Sequence, residues 1–240
     1  MNSVLYHYCV QRLPSREEMG RAAARQVRDL ICDLLRRKES IRMIFAAAPS
    51  QNEFLEALVK EPAIDFSRIT AFHMDEYVGL PKEAPQGFGN FLRDRLFSKA
   101  AFRQVHYING NAADIQAECE RYCALLRETP IDIVCLGIGE NGHIGFNEPA
   151  SKLDNKTHLT ALTESTIEAN SRFFASADEV PRHALTMGVG TILKSKKIII
   201  AISGNKKLNA FHKMLEGQID TSSPATLLNL HNDVIVAFNE

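Results

Sequence analysis

Short runs rich in branched and aromatic residues recur along this chain: IRMIFAA from Ile41, RITAFHMD from Arg68, QVHYI from Gln104, IDIVCLGI from Ile131, KKIIIAIS from Lys196 and NDVIVAF from Asn232. Several are apolar almost without a break. A strand with one wet face alternates apolar and polar residues, whereas a strand covered on both faces does not. Amphipathic segments fall between the runs. Ser15 and Glu18 have capping-box spacing, and a helical pattern follows to about Arg37. Further helical patterns cover about Ser50 to Val59, Phe88 to Lys99, Ala113 to Arg127, Glu164 to Phe174 and Lys206 to Leu215, the last stopping before Gly217. This alternation predicts right-handed βαβ units and a three-layer, Rossmann-like α/β fold. A mostly parallel sheet would carry helices on both faces, in a single domain over residues 1–240.

Composition excludes several classes of function. The 28 basic and 29 acidic residues leave a net charge of −1, so no global field draws in nucleic acid or an anionic membrane. The apolar runs are too short to span a bilayer. The opening MNSVLYHYCVQRLPSREEMG lacks the basic stretch and apolar core of a signal peptide. The five cysteines are odd in number, scattered and without a Cys-x-x-Cys pair. They read as free thiols in a reducing cytoplasm.

In a sheet of this kind ligands lie beyond the carboxyl ends of the strands. That rule selects the loops after Phe45, Met74, Gly137 and Ile202. In the first, AAAPSQNEF, a strand feeds a helix start, which is an anion-binding geometry, and Ser50 adds a hydroxyl. The same loop has no glycine, and Pro49 has no N–H, so it also reads as a plain helix start. In the second, Asp75 and Glu76 at a strand end are either a fixed general base or turn and cap residues. In the third, LGIGENGHIGFNEP, the glycines Gly137, Gly139, Gly142 and Gly145 permit left-handed backbone and close approach. His143, of a type that titrates near pH 6.5, and Glu148 five residues on have the makings of an acid–base pair. A glycine turn stabilised by histidine and asparagine is the alternative. Metal binding lacks a second histidine at ligand spacing. Gly137, Gly139 and Gly142 fit a dinucleotide fingerprint, but only weakly, because the motif falls mid-chain and NEPAS, from Asn147 to Ser151, makes a poor helix start. In the fourth, Lys206 and Lys207 open a helix, where a bound anion would offset their conflict with the macrodipole, though solvated lysines would also serve. Arg172, in EANSRFF, is a second cation among apolar neighbours.

MDEYVGLP, NGNA, ECERY, GENGHIGFNEPAS, ANSRFF, VPRHALTMGVGTIL and SGNKK occur in this order between about Arg21 and Phe238. Together they resemble the glucosamine-6-phosphate deaminase/isomerase family, within the fold group that includes sugar-phosphate isomerases and 6-phosphogluconolactonases. The resemblance implies aldose–ketose isomerisation with deamination of a 2-amino-2-deoxy-hexose 6-phosphate, without metal or organic cofactor. It implies Asp75 as the base at C2, His143 as proton shuttle for ring opening, and Glu148 as the group that orients His143. Asn141 belongs to the same catalytic set. It further implies that Arg172 and Lys207 bind phosphate, and that Ala47, Ala48, Ser50, Gly137 and Gly145 line the substrate. A lid over about 163–180 would carry Arg172. The partner is a small amino-sugar phosphate rather than nucleic acid or membrane, and a homo-oligomer is left open.

The chain also departs from the family pattern. Asn141 stands where many members carry Asp, which leaves His143 one fewer anionic partner. Ala47-Ala48-Pro49-Ser50-Gln51 replaces a glycine-rich T-G-G-T-P loop. That change removes a backbone donor at Pro49 and easy access to positive φ at Ala48, and it keeps a galacto-type substrate in play. His158 and Thr160 replace basic residues, and the sequence stops at Glu240. The expectation is an enzyme without amino-sugar-phosphate activation. Two other readings are a lactone hydrolase that uses His143 as base toward water, and a sugar-phosphate sensor without turnover.

Overall fold

The computed structural model describes residues 2–5, 8–149 and 156–240. The end of the NEPAS motif, positions 150 and 151, lies outside the described residues. The chain runs β1 (Asn2–Leu5), β2 (Tyr8–Arg12), α1 (Arg16–Leu35), β3 (Ile41–Phe45), α2 (Asn52–Val59), β4 (Ile69–His73), β5 (Asp75–Tyr77), α3 (Phe88–Leu92) and β6 (Gln104–His106). It continues with α4 (Ile115–Arg127), β7 (Ile133–Leu136), β8 (His158–Ala161), α5 (Glu164–Ser171), β9 (His183–Thr186), α6 (Val189–Leu193), β10 (Lys197–Ser203), α7 (Leu208–Leu215) and β11 (Val234–Asn239).

Eight strands form one sheet in the order β1-β2-β11-β10-β7-β3-β4-β6. All neighbours pair in parallel except β1 with β2. The unbroken apolar runs follow from two cores. On β10, Ile198, Ile200 and Ile202 point into a core with Phe211 and Met214 of α7 and Tyr122 of α4. Ile199 and Ala201 point the other way, into a core with Val27 and Ile31 of α1 and Phe54 of α2. Each such buried isoleucine contributes roughly 1.5–3 kcal/mol.

Several local expectations change. The segment read as one helix over Phe88 to Lys99 is α3 followed by a wider π-type turn, Arg93–Phe97. The helix beginning at Glu164 stops at Ser171, which puts Arg172 at its C-cap. The N-terminal hairpin β1–β2 carried no apolar run long enough to reveal it. Neither did β5, β8 and β9, which form a second, antiparallel sheet in the order β5-β9-β8. Gly217 does sit just beyond α7 with φ 78°, as a residue after a helix C-cap commonly does.

Topology places the functional end. Strands β3 and β7 are neighbours, but the chain leaves β3 toward β4 and β6, and leaves β7 toward β10 and β11. Their following loops therefore diverge and open a crevice at the carboxyl ends. The opposite end is closed by charge. Asp132, buried just before β7, accepts the Arg42 N–H at 3.0 Å and pairs with Lys196 at 3.0 Å and with Lys38. Arg68 donates to the carbonyls of Leu35, the last residue of α1, and of Glu39 beyond it. No helix among the described residues is long and apolar enough to cross a membrane.

Helix α1 crosses α2 at Gly20, where an added Cβ would lie 2.5 Å from the Glu53 carbonyl carbon. Alanine normally favours a helix over glycine by about 1 kcal/mol. Here the clash is with backbone, which cannot swing aside. Gly20→Ala is therefore expected to lose roughly 1–3 kcal/mol of stability, read from the denaturant midpoint. An unchanged or raised midpoint would refute the close crossing.

Candidate active site

The crevice contains a cavity of about 410 Å³. The loop after β3, the start of β5, the loop after β7, the end of α5 and the start of α7 all reach it. Asp75, His143, Ser50, Lys207 and Arg172 line it, as do Ala47, Ala48, Gly137 and Gly145. Asn141 and Glu148 stand behind His143, Asn141 bonded to its backbone N–H and Glu148 3.6 Å from its ring.

At one end lies a cationic corner. Ala48 is extended (φ −162°, ψ 152°), and Pro49 opens a 3-10 turn, Pro49–Gln51, before α2. The expected loss at Ala48 is thus immaterial, since any residue adopts this conformation. The Ser50 hydroxyl lies 3.5 Å from Lys207 Nζ. Gln51 is buried and donates through Nε2 to the Ala201 carbonyl at 3.3 Å. A Cβ on Gly137 would come within 3.0 Å of that amide. Lys207 follows Gly204 (φ 98°) and ends a 3-10 turn before α7, while Lys206 is exposed outside this cavity. Burial pushes the Lys207 ammonium down to about 8. Glu140 opposes the shift, and Arg172 and Arg16 add to it. The Arg172 guanidinium lies over the Phe173 ring and 3.7 Å from Glu140 Oε1.

At the other end lie the carboxylate and the imidazole. Asp75 is buried where β5 begins, and burial raises its pKa well above the usual carboxylate range, with the neighbouring Glu76 charge adding to the effect. Glu76 faces away and accepts the N–H groups of Phe88 and Gly89 at the start of α3. Glu76 therefore takes the cap role, while Asp75 lines the cavity. The pleat of β5 separates them.

The glycines after β7 divide by role. Gly142 (φ 86°) and Gly145 (φ 56°) are left-handed. Gly137 and Gly139 are needed for space instead: a Cβ on Gly139 would lie 2.4 Å from the His143 ring. At Gly145 a Cβ would sit 3.3 Å from Asp75 Oδ2. The loop is pinned by Gly139 N–H to His143 O at 2.9 Å and by Ala225 N–H to Gly142 O at 2.7 Å.

Glu148 does fold back onto the imidazole, with Oε2 3.6 Å from His143 Nδ1. The same oxygen accepts from Asn141 Nδ2 at 3.1 Å and from the Thr163 hydroxyl at 3.2 Å. Burial alone would raise the Glu148 pKa; contact with His143 and the donors Thr166 and Asn141 bring it below the ordinary value. Asn141 thus serves Glu148 as a donor, and its Oδ1 accepts the His143 backbone N–H at 3.2 Å. An aspartate there would have no hydrogen to give. Thr166 Oγ1 lies 3.5 Å from His143 Nδ1 and 3.1 Å from the Thr163 hydroxyl. Glu140, Thr163 and Thr166 were missed from sequence. The Thr163-x-x-Thr166 pair reads only as a helix start until folding brings it against Glu148. Among the described residues, no group of three or more His, Cys, Asp or Glu side chains is gathered to hold a metal.

Fold and site define an α/β protein with a carboxylate–imidazole pair and a cationic corner in one crevice at the switch point of its sheet. The chain belongs to the family described as glucosamine-6-phosphate isomerases/6-phosphogluconolactonase, whose sequence profile matches residues 14–236. It is 45% identical over 195 residues to a glucosamine-6-phosphate deaminase of Streptococcus pyogenes serotype M3, covering 81% of this chain and 83% of the relative. It is 47% identical over 173 residues to one of Lactobacillus delbrueckii subsp. bulgaricus, covering 72% and 74%. The solved structure of a monomeric glucosamine-6-phosphate deaminase superposes with a TM-score of 0.90 at 38% identity, covering 96% of this chain and 97% of that one. A 6-phosphogluconolactonase from Thermotoga maritima shares the fold, with a TM-score of 0.78 at 19% identity and coverage of 97% and 100%.

The lowered Lys207 pKa has a direct consequence. Its ammonium should titrate near pH 8 in the free protein, and anions should bind more weakly as pH rises through that value. Side-chain NMR of Lys207, with phosphate titrations across pH 7–9.5, checks both. Titration near the ordinary value of about 10.4 would contradict the burial argument.

Proposed function

We propose that this chain converts glucosamine 6-phosphate and water to fructose 6-phosphate and ammonia, by aldose–ketose isomerisation with deamination. One observation carries the reading: the cavity joins a buried carboxylate, an imidazole backed by a second carboxylate, and a two-cation corner. The shared identity with deaminases over most of the chain supports it.

In this proposal Lys207, Arg172 and Ser50 hold the phosphate, and the Pro49–Gln51 turn sets the hydroxyl in place. Ala47, Ala48, Gly137 and Gly145 let the sugar lie close to the backbone. His143 passes a proton to the ring oxygen as the C1 hydroxyl loses its own, which opens the ring to the aldehyde. Glu148 fixes the imidazole and offsets the positive charge it carries when protonated. Asn141 holds Glu148 in place. Asp75 then takes the C2 proton and returns it to C1. The 2-imino product adds water at C2 and expels ammonia. A raised Asp75 pKa makes that carboxylate a stronger base, provided that it is ionised. Activity should therefore fall as pH drops through the Asp75 pKa.

The lactonase reading leaves Asp75 without work, and so does a sensor, which needs the cationic corner alone. The segment 163–180 is proposed to close over the sugar, because it carries Arg172, which lines the cavity from the C-cap of α5.

The test is incubation with amino-sugar 6-phosphates, gluco and galacto, measuring ammonia and ketose phosphate together. Equimolar release is expected, with kcat reduced about 10²–10⁴-fold in Asp75→Asn. Lactone hydrolysis without ammonia release, or full activity in Asp75→Asn, would overturn the proposal.

A further inference from the structure

Glu140 is a carboxylate in the cationic corner, where a phosphate site has no obvious use for one. It stands between Gly139 and Asn141 on the loop after β7 and lines the same cavity as Arg172 and Lys207. Its Oε1 is 3.7 Å from Arg172 Nη1, and its side chain keeps 34% of its exposure. The chemistry above gives it no task. Glu140 and Arg172 also line a second, neighbouring cavity of about 660 Å³ together with Lys206, so the pair forms part of the wall between the two spaces.

We propose that Glu140 is a built-in counter-ion of the phosphate clamp, paired with Arg172 in the resting protein and displaced by the incoming sugar phosphate. The inference rests on the sugar-phosphate reading above. Two cations that face one small cavity repel each other, and Arg172 does work against the charge of Lys207, whereas Glu140 favours it. A carboxylate in the corner offsets that repulsion while the clamp is empty. Exchange then selects the ligand. A phosphate brings nearly two charges and three acceptor oxygens against one charge and two oxygens, so it wins Arg172. A neutral sugar or a monocarboxylate has no such advantage, and the resting pair stands as a barrier to it. The displaced carboxylate has somewhere to go: rotation toward the second cavity brings it to the side lined by Lys206.

The position of Glu140 also ties the exchange to the acid–base end. Its neighbour Asn141 holds both Glu148 and the His143 backbone N–H. Arg172 caps the same helix whose first residues, Thr163 and Thr166, touch Glu148 and His143. Phosphate arrival thus moves a pair that is attached at both ends to the catalytic histidine.

The experiment is calorimetric binding of fructose 6-phosphate to wild-type protein, Glu140→Gln and Glu140→Ala at low and high salt. With the competing carboxylate gone, Kd should fall about two- to fivefold in both variants. The gain should shrink at high salt and in an Arg172→Gln background, which a purely structural effect of the loop would not reproduce. Unchanged or weaker binding in both Glu140 variants, while the wild type binds and Arg172→Gln weakens it, would overturn the counter-ion role alone. No phosphate-dependent binding by the wild type would overturn the clamp, and this inference with it.

Discussion

Apolar cover on both faces of the parallel sheet is the constraint on which the rest depends. Ile198, Ile200 and Ile202 serve one core and Ile199 and Ala201 the other, so between Ile198 and Ile202 neither face of β10 carries a polar side chain. Polar chemistry is driven to the strand ends. At one end Asp132, Lys38, Lys196, Arg42 and Arg68 consume backbone groups and charges in closing the structure. At the other end the loops after β3 and β7 part, and the crevice between them holds the site.

Within the crevice, burial sets the chemistry by what it withholds. Asp75 loses water and gains no compensating cation, so its proton is held more tightly. Lys207 loses water too, and its ammonium becomes easier to discharge. Glu148 is as deeply buried, yet the imidazole, Thr166 and Asn141 bring its pKa below the ordinary value. Three titratable groups in one small space thus hold different protonation behaviour, which is the arrangement that acid–base catalysis at one pH needs.

Helix α5 joins the two ends. Thr163, its N-cap, donates to Glu148, and Arg172, its C-cap, faces the cationic corner. Eight residues of helix fix the distance between them. Gln86 bonds the Phe173 carbonyl at 3.0 Å and ties the segment after α5 to the loop beyond β5. The cationic corner and the carboxylate beside His143 therefore share one helix.

Much of this was legible in the sequence. The unbroken runs at Ile131 and Lys196 specify buried parallel strands, because burial on both faces is a local demand on every residue of the strand. Gly217 and Ser15 mark helix ends for equally local reasons. The family motifs around Asp75 and His143 are contiguous and can be read as strings. Other features needed the tertiary structure. The antiparallel sheet of β5, β8 and β9 is built from runs of three or four residues, too short for a period to show, and only long-range pairing makes them strands. Ala48 looked compromised until its extended backbone showed that no left-handed residue is wanted there. Glu140 and Thr166 carried no signal, since their meaning lies in partners 32 and 23 residues away along the chain, Arg172 and His143. The sequence by itself determined the layers and the loops at their ends, because both follow from patterns within one segment. Which side chains face one another across the crevice was decided by the packing of separate segments, and distance along a chain does not encode distance in space.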